Sequence, residues 1–458
     1  MKNSTHIPKH LIHKALKSGP IGLSMLLAII GGSAHAASSQ YFTTSVVNGG
    51  TYSWDSATSW SVSGGTSTGP FASAYTPGDF ARFYGGGTAA YTVTVNAAES
   101  MAGMYYNQTG TLNINDAGSG TGSLSVVANT SQASQNGFSW LTQGFLTAGG
   151  TLNINAPITG TGGVEQEAGG GTFALYGVNT YTGGTLVTSS GTFFAYNNNS
   201  SFGALSSQIG FDGTTFAIME NTGPTSVNIA NPVQIIGTTG INFIGNGATW
   251  SGSFAMGANT VNLRNNGVAT TLNLAGAMSG TGPVTFSGAN AGNITLSGAN
   301  NYTGATTLGV TGDTSITLQL GVANAIASSS KLTLAGGTLN LGGFNQAMGS
   351  TPLAMTATST IDFGAGASAS SFANSASQTW TGTLNIINWT TGVDSLEFGT
   401  SPSALTTAQL ADIDINGVAG EAALDPNGFL IVTPEPSTLA LGVAGGLGVL
   451  WTLRRRTA

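Results

Sequence analysis

The sequence predicts an all-β protein built as a stack of short repeats, and three observations carry that reading. Charged residues are 6% of the 458, whereas glycine alone numbers 70, a composition that does not suit a helical protein. Hydrophobic residues are 40%, the reverse of the low hydrophobicity and high charge that mark disorder. Finally, Thr-Leu-Asn followed by Ile or Leu recurs at Thr111, Thr151, Thr271, Thr338 and Thr383. Repeats of a few short strands cannot bury their own apolar face, so they must stack on one another.

The chain opens with an expected signal peptide, residues 1–36. Lys2, Lys9, Lys14 and Lys17 form a basic leader, Ile21 to Ile30 an apolar stretch too short to span a bilayer, and Ser33-Ala34-His35-Ala36 a small-residue cleavage site between Ala36 and Ala37. Export through the general secretion machinery, with signal peptidase as a processing partner, follows.

Residues 37–110 form an opening module, the expected N-terminal cap of the stack. Trp54 and Trp60 stand six apart, followed by Pro77-Gly78-Asp79 and Phe83. Tyr91-Thr92-Val93-Thr94-Val95 alternates as a half-buried strand does, with Tyr91, Val93 and Val95 on one face. The tryptophans are expected to plug the open end of a β stack; a sugar-stacking platform is the alternative.

Residues 111–377 carry the repeats. The first three Thr-Leu-Asn copies lead to Gly-Thr-Gly at Gly120, Gly160 and Gly280, and Thr151–Val164 matches Thr271–Val284 at seven of fourteen positions. Further on, Leu175, Gly177, Asn179, Tyr181, Thr182 and Gly183 match Leu296, Gly298, Asn300, Tyr302, Thr303 and Gly304. Between Leu205 and Thr270 the pattern fades. Glycine is expected to supply positive φ at tight corners, and aligned Thr and Asn to hydrogen-bond from turn to turn as uncharged ladders.

Residues 378–432 form the expected C-terminal cap. Two strand-like stretches, Trp380–Trp389 and Asp394–Gly399, precede a short helix with Thr406 as N-cap and Leu405 and Leu410 flanking it.

Residues 433–458 read as three devices in series. Pro434-Glu435-Pro436 lacks two backbone donors and must be an extended spacer. Ser437 to Leu453 carries no charge and, as a helix at roughly 1.5 Å per residue, reaches about 25 Å, near the hydrocarbon thickness. Arg454, Arg455 and Arg456 would hold the distal end in the cytoplasm.

Charge sharpens once the ends are set aside. Between Ala37 and Thr433 the basic residues are Arg82, Arg264 and Lys331 against sixteen acids, a net of −13. That excludes a nucleic-acid footprint. No cysteine occurs anywhere and no histidine beyond His35, which removes thiol catalysis and the commonest general base and metal ligand. Two acid pairs at i, i+2 remain: Glu165/Glu167 and Asp412/Asp414. Paired carboxylates serve glycosidases, and Asp412 and Asp414 are weak candidates for a Ca²⁺ site that would need several more oxygens. Solvated strand-end acids are the plainer expectation. No catalytic residue and no cofactor is implied.

The tail resembles the PEP-CTERM sorting signal of Gram-negative bacteria: a Pro-Glu-Pro motif, a short transmembrane helix and a basic terminus. The resemblance implies recognition by an exosortase, a membrane-embedded thiol transpeptidase, near Pro434, Glu435 and Pro436. Phe173–Thr185 and Ile294–Thr306 resemble the autotransporter-associated β-strand repeat, with Asn301 and Ala305 as departures. That likeness implies a right-handed parallel β-helix. An autotransporter would carry a membrane β-barrel where this chain has the sorting-like tail. Together the resemblances imply an exported, non-enzymatic surface or biofilm-matrix protein, first a membrane-anchored precursor and then located at the cell surface or in the exopolysaccharide. A glycan-binding adhesin using Trp54, Trp60 or Tyr106 is the alternative, and a polysaccharide-degrading β-helix enzyme a more distant one.

Overall fold

The computed structural model describes residues 39–433 apart from 43–45, 62–74, 84–86, 107, 119, 127–142, 145–149, 167–170, 189–192, 214–215 and 311–314. The signal segment with Ala36 and Ala37, the Pro434-Glu435-Pro436 motif, the apolar run and Arg454–Arg456 lie outside the described residues. Among the described residues no helix is long and apolar enough to cross a membrane.

Alternation decides the local structure. In Thr151–Ile154 the side chains of Leu152 and Ile154 are buried while Thr151 and Asn153 are half-exposed. The same inward-apolar, outward-polar pattern runs through Ala90–Val95, Thr111–Asp116, Thr317–Leu320 and Leu332–Leu334. Such strands have one face to bury and pair edge to edge to do it. The result is a parallel β-solenoid of about 12 turns with almost no helix.

Three long sheets run along it, of thirteen, ten and seven strands among the described residues. Thr151 pairs with Thr172 and Thr306 with Leu332, so these turns take 21 and 26 residues. Two turns near the start are longer: Thr51 pairs with Thr92 and Thr111 with Thr151. The repeat read at a spacing of 40 residues is therefore a single turn, and its copies are adjacent rungs. Leu112 lies against Leu152, Asn113 against Asn153 and Ile114 against Ile154. Inside, Leu112, Leu152, Phe173, Phe194 and Met219 form one continuous buried row. Each such side chain contributes about 1.5–3 kcal/mol by leaving water.

The ladder crosses both expected module boundaries. Tyr91 and Val93 already pair with Leu112 and Ile114, and Leu384–Ile387 and Ile413–Ile415 extend the ten-stranded sheet beyond residue 378. Antiparallel strand pairs among the described residues occur only near the two ends. Ser39–Phe42 meets Trp60–Ser61 at the start; Ile413–Ile415 meets Val418–Ala419, and Ala422–Leu424 meets Leu430–Val432, at the finish. In the last hairpin Leu424 and Leu430 join the core, whereas Ile431 faces solvent. The expected helix forms as Thr407–Ala411, with Thr406 and Gln409 in a reciprocal capping box.

Candidate functional site

The most chemically distinctive residues of the sequence, the Asn-x-Tyr-Thr-Gly motifs, build corners rather than a site. Asn179 Oδ1 accepts from Ile158 N at 2.8 Å on the preceding turn, and its Nδ2 donates to Ser201 O at 2.8 Å on the next. Asn300 does the same between Met278 N, 2.8 Å, and Ala325 O, 2.7 Å. One amide thus staples three turns. Tyr181 and Tyr302 are fully buried, with hydroxyls bonded to Thr185 at 2.5 Å and Thr306 at 2.8 Å. Burial pushes the Tyr302 phenol up to about 12 despite the Thr306 bond, and raises that of Tyr181 likewise, so both hydroxyls stay neutral.

Two demands fall on the glycines, and some meet both: a Cβ on Gly160 would stand 2.0 Å from Val126 O and one on Gly280 2.5 Å from Gly257 O. Gly160 and Gly280 hold positive φ (103° and 126°), as expected of a corner. Gly304 does not: a Cβ there would stand 1.9 Å from Gly282 O, so glycine is required for close approach of two turns.

The aromatic candidates are corrected by burial. Trp54, Trp60 and Tyr106 are each 0% exposed, and a ring with no free face cannot stack on a sugar. Trp60 Nε1 donates to Trp54 O at 2.7 Å, and both rings pack with Tyr75 and Phe83. The Trp54–Trp60 turn folds both indoles inward, and Tyr75 and Phe83 cover them there.

Glu165 lies within the strand Val164–Gln166, largely buried, and Glu167 is outside the described residues. Asp412 caps the C-terminus of the short helix and Asp414 sits on Ile413–Ile415 opposite Asn385. No group of three or more potential metal-binding side chains occurs among the described residues.

Two surfaces remain as candidates. The outer side of the ten-stranded sheet carries two polar rows, Thr249-Asn273-Thr295-Gln319-Asn340, which runs on into Asp362, and Thr271-Asn293-Thr317-Thr338-Thr360. Their groups are partly spent on each other, as in Asn293 Nδ2 to Gln319 Oε1 at 3.0 Å. A groove of about 440 Å³ beside them is lined by Thr225, Thr249, Ala269, Thr271 and Asn273 with no ionisable group. The second candidate is an acidic cluster in the first turns. Asp55 Oδ2 accepts from Asn96 N at 3.1 Å and Asn96 Nδ2 at 2.7 Å, while Asp55 Oδ1 is enclosed without a hydrogen-bond partner. Glu99, on Ala98–Met101, is raised to about 7 by burial and then by its contact with Asp55. Sequence reasoning missed this pair, because 44 residues separate its members and no spacing rule joins them.

The chain matches no family model, no curated protein and no solved structure. Fold and geometry therefore define its class, a parallel β-solenoid.

Proposed function

We propose that this chain is an exported, non-enzymatic rod of the bacterial cell surface or exopolysaccharide matrix. It is delivered by its N-terminal signal, cleaved between Ala36 and Ala37, and held at the membrane by a transmembrane helix. Residues 37–433 are then released or retained when an exosortase acts at Pro434-Glu435-Pro436. The winding is right-handed, and the terminal antiparallel pairs serve as caps that keep strand edges from templating other chains.

One observation supports this reading above the others: the amides of the repeat motifs are spent between turns. Asn179 and Asn300 staple corners, and Asn153 Nδ2 donates to Asn113 Oδ1 at 2.8 Å on the outer face. Chemistry needs groups held free for a substrate; a rod needs them paired.

The test is fractionation of the producing cells with mass spectrometry of the chain's termini. The expected product begins at Ala37, ends near Pro436 and is found in the surface or matrix fraction. Replacing Pro434-Glu435-Pro436 with alanines should trap the precursor in the inner membrane. Full-length protein in the cytoplasm, or unchanged sorting of the variant, would sink the proposal. Saturable binding of the purified body to the producer's exopolysaccharide would favour the adhesin reading, with the ten-stranded face as the contact.

A further inference from the structure

One outward column of the thirteen-stranded sheet is interrupted. From Asn262 onward its positions are Thr285, Thr307 and Thr333 on successive rungs. One rung before Asn262 stands Gly240, which has no side chain to fill the column. Phe216 immediately precedes Ala217, which pairs with Ile241, so the half-buried Phe216 ring stands level with Gly240 one rung earlier still. The glycine therefore leaves a notch between a ring and an amide two rungs apart, about 10 Å at the spacing of paired strands.

The notch belongs to a groove of about 390 Å³ lined by Gly213, Phe216, Thr238, Gly240, Thr260 and Asn262, a size in the range of small-ligand sites. Ser287 Oγ donates to Asn262 Oδ1 at 2.9 Å, which fixes the amide and leaves its Nδ2 hydrogens to donate. The Arg264 guanidinium lies 5.6 Å from the centre of the Phe216 ring and steadies it. Thr238 and Thr260 are exposed, and a hydroxyl can donate or accept. None of the lining side chains ionises. An aromatic face beside a fixed amide and two hydroxyls suits a pyranose, which has an apolar C–H face and a rim of hydroxyls.

We propose that this groove is a subsite for one uncharged pyranose unit of a polysaccharide. Phe216 lies under the C–H face of the sugar, and Asn262, Thr238 and Thr260 bond its hydroxyls. The inference deepens the adhesin reading and rests on it, while placing a sugar contact on the thirteen-stranded sheet instead of the ten-stranded one.

Saturation-transfer NMR on the purified full-length protein tests this with three uncharged probes, cellotetraose, laminaritetraose and mannotetraose. Transfer to the ring C–H protons of at least one of them is expected, with little competition from tetragalacturonate. Phe216→Ala should weaken that binding about tenfold. Gly240→Thr, which carries the column's own residue into the notch, should abolish it. Amide protection of Val261–Asn265 reports whether each variant keeps the rung, and either variant alone suffices. Silence from all three sugars overturns the subsite, as does tighter binding of tetragalacturonate. So does unchanged binding in a variant that keeps the rung. The producer's intact exopolysaccharide is the second probe. If it binds wild type and both variants alike, the adhesin reading stands and this subsite falls; if neither it nor any tetrasaccharide binds, both fall.

Discussion

The two copies of the Asn-x-Tyr-Thr-Gly corner make the same bonds on different sides of the rod. In the first, the chain leaves the thirteen-stranded sheet after Thr172–Leu175 and enters the seven-stranded sheet at Thr185–Val187. In the second, it leaves the ten-stranded sheet after Asn293–Leu296 and enters the thirteen-stranded sheet at Thr306–Leu308. The Thr-Leu-Asn strands shift likewise: Thr151–Ile154 belongs to the thirteen-stranded sheet and Thr271–Leu274 to the ten-stranded one. The motif therefore specifies a corner and says nothing about which face it joins. A stack of near-equivalent faces lets a repeat slip by one side without breaking its hydrogen bonds, because each bond reaches only to the next turn.

If the corners are equivalent, matched substitutions should cost alike wherever the surroundings are alike. The largest effect is expected from glycine. Gly304→Ala places a Cβ 1.9 Å from Gly282 O, and Gly183→Ala one 2.2 Å from Gly162 C. Backbone cannot yield as a side-chain tip can, so each should cost about 3 kcal/mol, read as lost amide protection on the adjacent turns. Equal losses sustain the equivalence; tolerance at one site alone would break it.

Next come the staples. Asn179→Ala strands the amide of Ile158 and the carbonyl of Ser201 inside the fold and should cost about 2–4 kcal/mol. Asn300 is only partly buried, so water can replace some of its bonds. Asn300→Ala should therefore cost about half as much, with hydrogen exchange at Ile158 and Met278 as the readout. Tyr181→Phe should cost about 1 kcal/mol, and Tyr302→Phe less, because Thr306 keeps Ser330 Oγ at 2.7 Å. The smallest effect belongs to the outer ladder. Asn153→Ala removes an exposed-side bond to Asn113 and should shift thermal unfolding by no more than about 0.5 kcal/mol.

The strand pattern was legible because apolar-polar alternation is local: Tyr91, Val93 and Val95 point inward as their spacing required. The capped helix was legible for the same reason, with Thr406 and Gln409 three residues apart. The phase of the repeats was not. Thr111 and Thr151 stand one turn apart, and a turn's length depends on how much chain is looped out at its corners, which no motif spacing reports. The demands on the glycines are invisible in sequence: Gly280 needs both its torsion and the close approach of Gly257 O, whereas Gly304 needs only the close approach of Gly282 O. Trp54 and Trp60 are expected from the sequence to plug the stack, with an exposed platform as the alternative, and both are buried. Their burial depends on Phe83 and Tyr75, which reach the same spot from elsewhere in the chain.

The last hairpin has a mechanical consequence. Thr433 N and Oγ1 both hold Glu421 O, at 2.7 and 3.0 Å, at the open end of the Ala422–Leu424/Leu430–Val432 pair. A tether pulling on Thr433 loads that end first, so the hairpin's bonds break in sequence, as the teeth of a zipper do. Under tension the final strand peels at low force and absorbs the extension. The long sheets beneath it keep their rungs intact.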